Sequence, residues 1–79
     1  MVFEKIRDTL ASQFEFDPSE INRDTDIMVD LGADSLDLVE LIARLEEEYN
    51  VTVTDESVYE LKTVGDITEY IESIMTDSI

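Results

Sequence analysis

Ser35 is the residue whose type and setting could do chemistry in this chain. It stands in the run Val29-Asp30-Leu31-Gly32-Ala33-Asp34-Ser35-Leu36-Asp37-Leu38-Val39-Glu40-Leu41. A serine hydroxyl attacks at neutral pH only when a neighbouring base takes its proton. The chain has no His to act as that base and no Cys to act as a nucleophile. Its lysines, Lys5 and Lys62, belong to other segments. A flanking carboxylate orients a hydroxyl but is a weak base. No catalytic residue is therefore expected, and the chain does not read as an enzyme. Ser35 can instead receive a group. A phosphate ester there would sit at the positive end of a helix, near free backbone N–H groups.

The acids around Ser35 raise the question of a metal. Asp24, Asp26 and Asp30 precede it, and Asp34 and Asp37 flank it. A calcium loop of the EF-hand type needs alternating acids, then Gly, then a terminal Glu. Met28 and Val29 break that pattern, so no dedicated metal site is expected.

Twenty-one acids face five bases, for a formal net charge of -16. Such a chain repels nucleic acid and anionic lipid surfaces and attracts basic protein patches. High charge can also mean disorder. Here 43% of the residues are hydrophobic, and they recur periodically, which argues for a folded domain. At 79 residues the chain is one domain, 1–79. No apolar stretch is long enough to span a membrane. The first residues resemble neither a signal nor a transit peptide. The expected setting is the cytoplasm, or an organelle after trimming, with the chain as a monomer.

The elements that must position Ser35 follow from periodicity. Phe3, Ile6, Leu10 and Phe14 share one face of a helix over about 2–15, which Pro18 is expected to end. Residues from Glu15 to about Ala33 show no sustained period. They read as a long loop pinned by Ile21, Ile27, Met28, Val29 and Leu31. Asp34 as N-cap and Asp37 three positions on open a second helix, which runs to about Tyr49 and stops at Asn50. Val51-Thr52-Val53-Thr54 reads as an extended link whose valines enter the core. Residues 56–61 read as a short helix. Thr63-Val64-Gly65-Asp66 opens the last helix, with Val64, Ile67, Tyr70, Ile71 and Ile74 at helical spacing. Three long amphipathic segments and one short one imply a helical bundle.

At about 100° per residue, Leu38, Leu41, Ile42, Leu45 and Tyr49 form a core face on the second helix. Leu36, Val39 and Ala43 form a second arc, flanked by Glu40 and Glu47 on one side and Glu46 on the other. Either the bundle buries this arc as well, or it is an exposed docking strip with an acidic rim. The number of acids favours the strip.

The run around Ser35 closely resembles acyl carrier proteins. Leu31-Gly32-Ala33-Asp34-Ser35-Leu36 reproduces that family's attachment motif, and length, acidity, the long loop and the opening of the last helix agree. The resemblance implies an all-α fold, a small four-helix bundle with a long first loop and a short third helix. It implies that a phosphopantetheinyl transferase (a holo-acyl-carrier-protein synthase) moves 4′-phosphopantetheine from coenzyme A onto Ser35. The arm's thiol then bears the acyl cargo, which explains a carrier without Cys. Partner contacts map onto Asp34, Leu36, Asp37, Val39, Glu40, Ala43, Glu46 and Glu47, facing fatty acid synthesis enzymes with basic docking patches. Carriers for polyketides, nonribosomal peptides or D-alanine use the same serine chemistry. The Gly-Ala-Asp-Ser-Leu form and the acidic second helix favour fatty acid synthesis by resemblance. A remoter alternative is an acidic helical adaptor in which Ser35 is only part of a cap.

Overall fold

A computed structural model describes residues 2–54 and 56–77. Its order is α1 (Val2–Phe14), a 3-10 turn (Pro18–Glu20), α2 (Ser35–Tyr49), a 3-10 helix (Glu56–Glu60) and α3 (Val64–Asp77). The fold is all-helical. Among the described residues the one β-type contact is an isolated bridge between Asp26 and Thr63.

Helix α1 turns a slightly different stripe inward from the expected one. Val2, Ile6, Leu10 and Ala11 are buried, while Phe3 and Phe14 lie half-buried at its edges. The Phe3 ring sits between two guanidinium groups, Arg7 at 5.8 Å and Arg23 at 5.1 Å from its centre. A charged group over the face of a ring is attractive, and here it joins the long loop to α1. Pro18 does not end this helix. Glu15 does, at φ 61, where the Phe16 N–H reaches back to the Ala11 carbonyl at 3.0 Å. This six-to-one closure satisfies a carbonyl left open at the helix end. Asn50 closes α2 in the same way, at φ 54, with the Val51 N–H on the Glu46 carbonyl at 3.1 Å.

The core joins α1 to Leu38, Leu41, Ile42 and Leu45 of α2 and to Val64, Ile67 and Ile71 of α3. Thr68 is also fully buried, with its hydroxyl donating to the Val64 carbonyl at 2.8 Å. The loop contributes Ile21, Ile27 and Leu31. Met28 and Val29 do not join them, at 39% and 80% exposure. A single turn has only one inward direction, so it cannot bury consecutive residues together. The 51–54 link is extended, but its valines are only half-buried, with Val53 packed against the core.

The short helix expected over 56–61 is a five-residue 3-10 helix. Val58 is its buried anchor, and the Leu61 N–H bonds the Val58 carbonyl at 3.3 Å, a three-residue step. An α-helical turn here would stack Glu56 over Glu60, four residues apart, where like charges repel. The described residues thus hold three α-helices, not four.

Candidate functional site

The chain reaches Ser35 through a built turn. Asp26 Oδ1 accepts the N–H groups of Met28 at 2.9 Å and Val29 at 2.8 Å. Asp30 Oδ2 accepts the Asp26 N–H at 2.8 Å. Gly32, at φ 76, closes the turn with its N–H on the Met28 carbonyl at 3.1 Å. A Cβ at Gly32 would meet nothing within 4 Å, so the need for glycine there is purely one of backbone angle. Buried Ala33 then brings the chain, extended, into Asp34.

Asp34 and Asp37 form the expected capping box. Asp34 Oδ1 accepts the Asp37 N–H at 2.9 Å, and Asp37 Oδ2 accepts the Asp34 N–H at 3.1 Å. Ser35 is the first residue of α2 and is exposed. Among the described residues no hydrogen bond engages its hydroxyl. Both flanking carboxylates hold backbone N–H groups, and among the described residues no hydrogen bond joins either to Ser35 Oγ. No three potential ligands among the described residues converge to hold a metal ion. The arrangement offers an accessible hydroxyl at a helix N-terminus and no means of using it as a nucleophile unaided. It suits a phosphate ester: the group would stand in solvent at the positive helix end, where water screens the two nearby carboxylates.

The second arc of α2 is in the open. Leu36 is 76% exposed and Val39 is 46% exposed. Ala43, Glu40 and Glu47 are exposed too. Glu40 pairs with Arg44 at 3.2 Å. Glu47 borders an open cleft of about 310 Å³ that also takes in Lys5, Thr9 and Arg44. Glu46 differs from these. It is half-buried, and its Oε2 accepts the Val53 N–H at 2.8 Å, tying the 51–54 link to α2. Among the described residues, Lys5 pairs with Glu48, Arg7 with Asp8 and Arg44 with Glu40, and Arg23 lies over Phe3. Of the other acids of α2, Asp37 and Glu46 accept backbone N–H groups, and Glu47 is exposed without an ion pair among the described residues.

Val29, expected inward from its residue type, is instead a surface feature. The signal was present as Asp26 and Asp30 bracketing three apolar residues, the pattern of a single capped turn.

Residues 4–71 match the family described as "Phosphopantetheine attachment site". The chain is similar to an acyl carrier protein of Clostridium acetobutylicum, 47% identical over 73 residues, covering 92% of this chain and 95% of that one. It is similar to one of Lactobacillus acidophilus, 46% identical over 72 residues, covering 91% and 90%. One from Wolinella succinogenes is 40% identical over 72 residues, covering 91% and 95%. The solved structure of an acyl carrier protein from Enterococcus faecalis superimposes with a TM-score of 0.79 at 29% identity, covering 92% of each chain. The helical fold and these matches define the class, a non-catalytic carrier. The chain belongs to the phosphopantetheine-attachment family, among the acyl carrier proteins. The cofactor of this family is 4′-phosphopantetheine. No helix of the described residues is long and apolar enough to cross a membrane.

Proposed function

We propose that this chain carries growing fatty acyl chains on a 4′-phosphopantetheine arm joined through the Ser35 hydroxyl. One observation carries the reading: Ser35 opens α2 exposed, with a hydroxyl that no hydrogen bond among the described residues engages. Ser35 Oγ provides the point of attachment, and the capping box of Asp34 and Asp37 fixes the turn that presents it. The N–H groups of Ser35 and Leu36 belong to the positive end of the helix, which favours the phosphate. When attached, the arm supplies the thiol that holds the acyl group as a thioester.

Leu36, Val39 and Ala43 are the docking strip in this reading, and Asp34, Asp37, Glu40, Glu46 and Glu47 its acidic rim. The partners are a phosphopantetheinyl transferase and fatty acid synthesis enzymes with basic docking patches, met by a monomer in the cytoplasm. A carrier that visits several enzymes needs fast, weak encounters. Charge attraction raises association rates without a tight complex, and a small apolar strip then fixes the pose. The 3-10 helix stands where a short third helix is expected, with Val58 buried in the core.

Intact mass after incubation with coenzyme A and a phosphopantetheinyl transferase tests the attachment. Wild type is expected to gain one arm and Ser35→Ala none. A wild type of unchanged mass overturns the reading. Loading of the holo-protein by fatty acid enzymes, compared with a D-alanine ligase, decides the pathway. Glu40→Lys is expected to slow turnover with partners at low salt and less so at high salt. Unchanged turnover at low salt would remove the steering role.

A further inference from the structure

Val29 is 80% exposed, more than any other large apolar side chain among the described residues. It adds nothing to the core, yet the turn beneath it is heavily built. Ile27 and Leu31 are buried on either side of it. Asp26 Oδ1 fixes the N–H groups of Met28 and Val29. The Asp30 N–H returns to the Asp26 carbonyl at 2.9 Å. The Gly32 N–H on Met28 and the Ala33 N–H on Ile27, at 3.1 and 3.2 Å, fold the turn against the residues just before Asp34. A β-branched side chain on a fixed turn has little freedom left to lose on contact.

The surroundings of Val29 define what could cover it. Asp24, Asp30 and Asp34 are exposed in the same stretch of chain, and no base lies between Arg23 and Arg44. The complement is an apolar depression with a basic rim. Position then selects among such partners. An enzyme acting on the arm's distal thiol docks on the α2 strip but needs no contact at the Ser35 oxygen itself, because the flexible tether brings the thiol to it. An enzyme that forms the bond to Ser35 Oγ must bring its reacting atoms to that oxygen, so its footprint is centred there. A standard interface takes about 20–30 residues a side. A patch that wide around Ser35 takes in a turn folded against residues 32 and 33.

We propose that Val29 is an anchor for the enzyme that attaches the arm, entering an apolar depression with a basic rim on the phosphopantetheinyl transferase. This rests on the reading of Ser35 as the attachment point. The test is steady-state arm transfer from coenzyme A, followed by intact mass, for wild type, Val29→Ser and Val29→Thr. Val29→Ser is expected to raise KM for the carrier roughly three- to ten-fold with kcat within about two-fold of wild type. Val29→Thr, which keeps the shape and the branch, is expected to fall between them and guards against a folding defect. A wild type that gains no arm overturns the Ser35 reading and this proposal with it. A wild type that is modified, beside a Val29→Ser of unchanged KM, overturns this proposal alone. So does a defect confined to enzymes acting on the distal thiol.

Discussion

The two connections that flank α2 are held by opposite strategies. The first, 15–34, stabilises itself. Asp17 accepts from Ser19, Asn22 from Asp24, and Asp26 from Met28 and Val29, each within three residues. It is then stitched to the start of α3 by backbone bonds: Ile27 N–H to the Lys62 carbonyl at 2.8 Å, Val64 N–H to Thr25 at 3.0 Å, and Gly65 N–H to Arg23 at 2.9 Å. Among the described residues of the second connection, 50–63, Glu46, reaching seven residues from inside α2, is the side-chain tie to that helix, and Thr63 serves the cap of α3. Ionisation follows the same division. Asp17, in the first, is held below its ordinary range by the Ser19 N–H and then by the Ser19 hydroxyl. Tyr49, where α2 hands over to the second, is pushed up by burial. The lesson is that a long connection can hold its own shape when its polar side chains serve their own backbone.

The largest effect is expected in the self-stabilised connection. Asp26→Ala strips the acceptor from two backbone N–H groups and is expected to cost about 2 kcal/mol. Asp26→Asn keeps the oxygen and is expected to recover most of that loss. Urea denaturation of the three proteins measures it, and equal losses for Ala and Asn would show that charge, not capping, holds the turn. Next comes Gly65→Ala. Its Cβ would lie 3.0 Å from the Arg23 carbonyl oxygen and 3.3 Å from the Arg23 Cβ. Backbone cannot step aside as a side-chain tip can, so a loss of about 1–2 kcal/mol is expected. A Gly65→Ala melting temperature at or above wild type would mean that the stitch between loop and α3 is soft.

Much of this was legible in the sequence because it is local. The capping box of Asp34 and Asp37, the Thr63–Asp66 cap and the Asn50 terminus are short-range patterns whose donors and acceptors lie within a few residues. The core face of α2 followed from a fifteen-residue helix with a clear period. The readings that failed depended on what else lay nearby. Glu15 took the left-handed angle and ended α1 ahead of Pro18. Residue type alone points Met28 and Val29 inward, but the turn leaves them outside. Glu46 looked identical to its acidic neighbours, because its bond to Val53 depends on how the chain returns after Asn50.

A smaller effect is expected at Glu46, where the second connection is tied. Glu46→Ala removes an acceptor from a half-buried N–H and is expected to cost about 1 kcal/mol. Glu46→Gln retains an oxygen and is expected to cost less. The sharper readout is hydrogen exchange at the Val53 amide. It is expected to quicken in Glu46→Ala, with Met28 and Val29 unchanged. Exchange that quickens equally in both connections would erase the distinction between them.

The smallest effect is at Tyr49, and its sign follows from linkage. The phenol's ordinary value is 10.0, and burial, followed by the charge of Glu48, raises it in the folded chain, with Lys5 opposing. Below pH 10 the phenol is neutral in both states, and its contribution to stability is fully present. As pH rises through the unfolded value, the unfolded chain ionises first and gains free energy that the folded chain does not. Stability is therefore expected to fall above pH 10 toward the raised folded value. Tyr49→Phe removes that titration while keeping the ring. Its stability, measured by urea denaturation at pH 9 and pH 11, is expected to decline less than that of wild type. Equal declines would mean that the end of α2 is as open to water as the link that follows it, and the burial there would have to be redrawn.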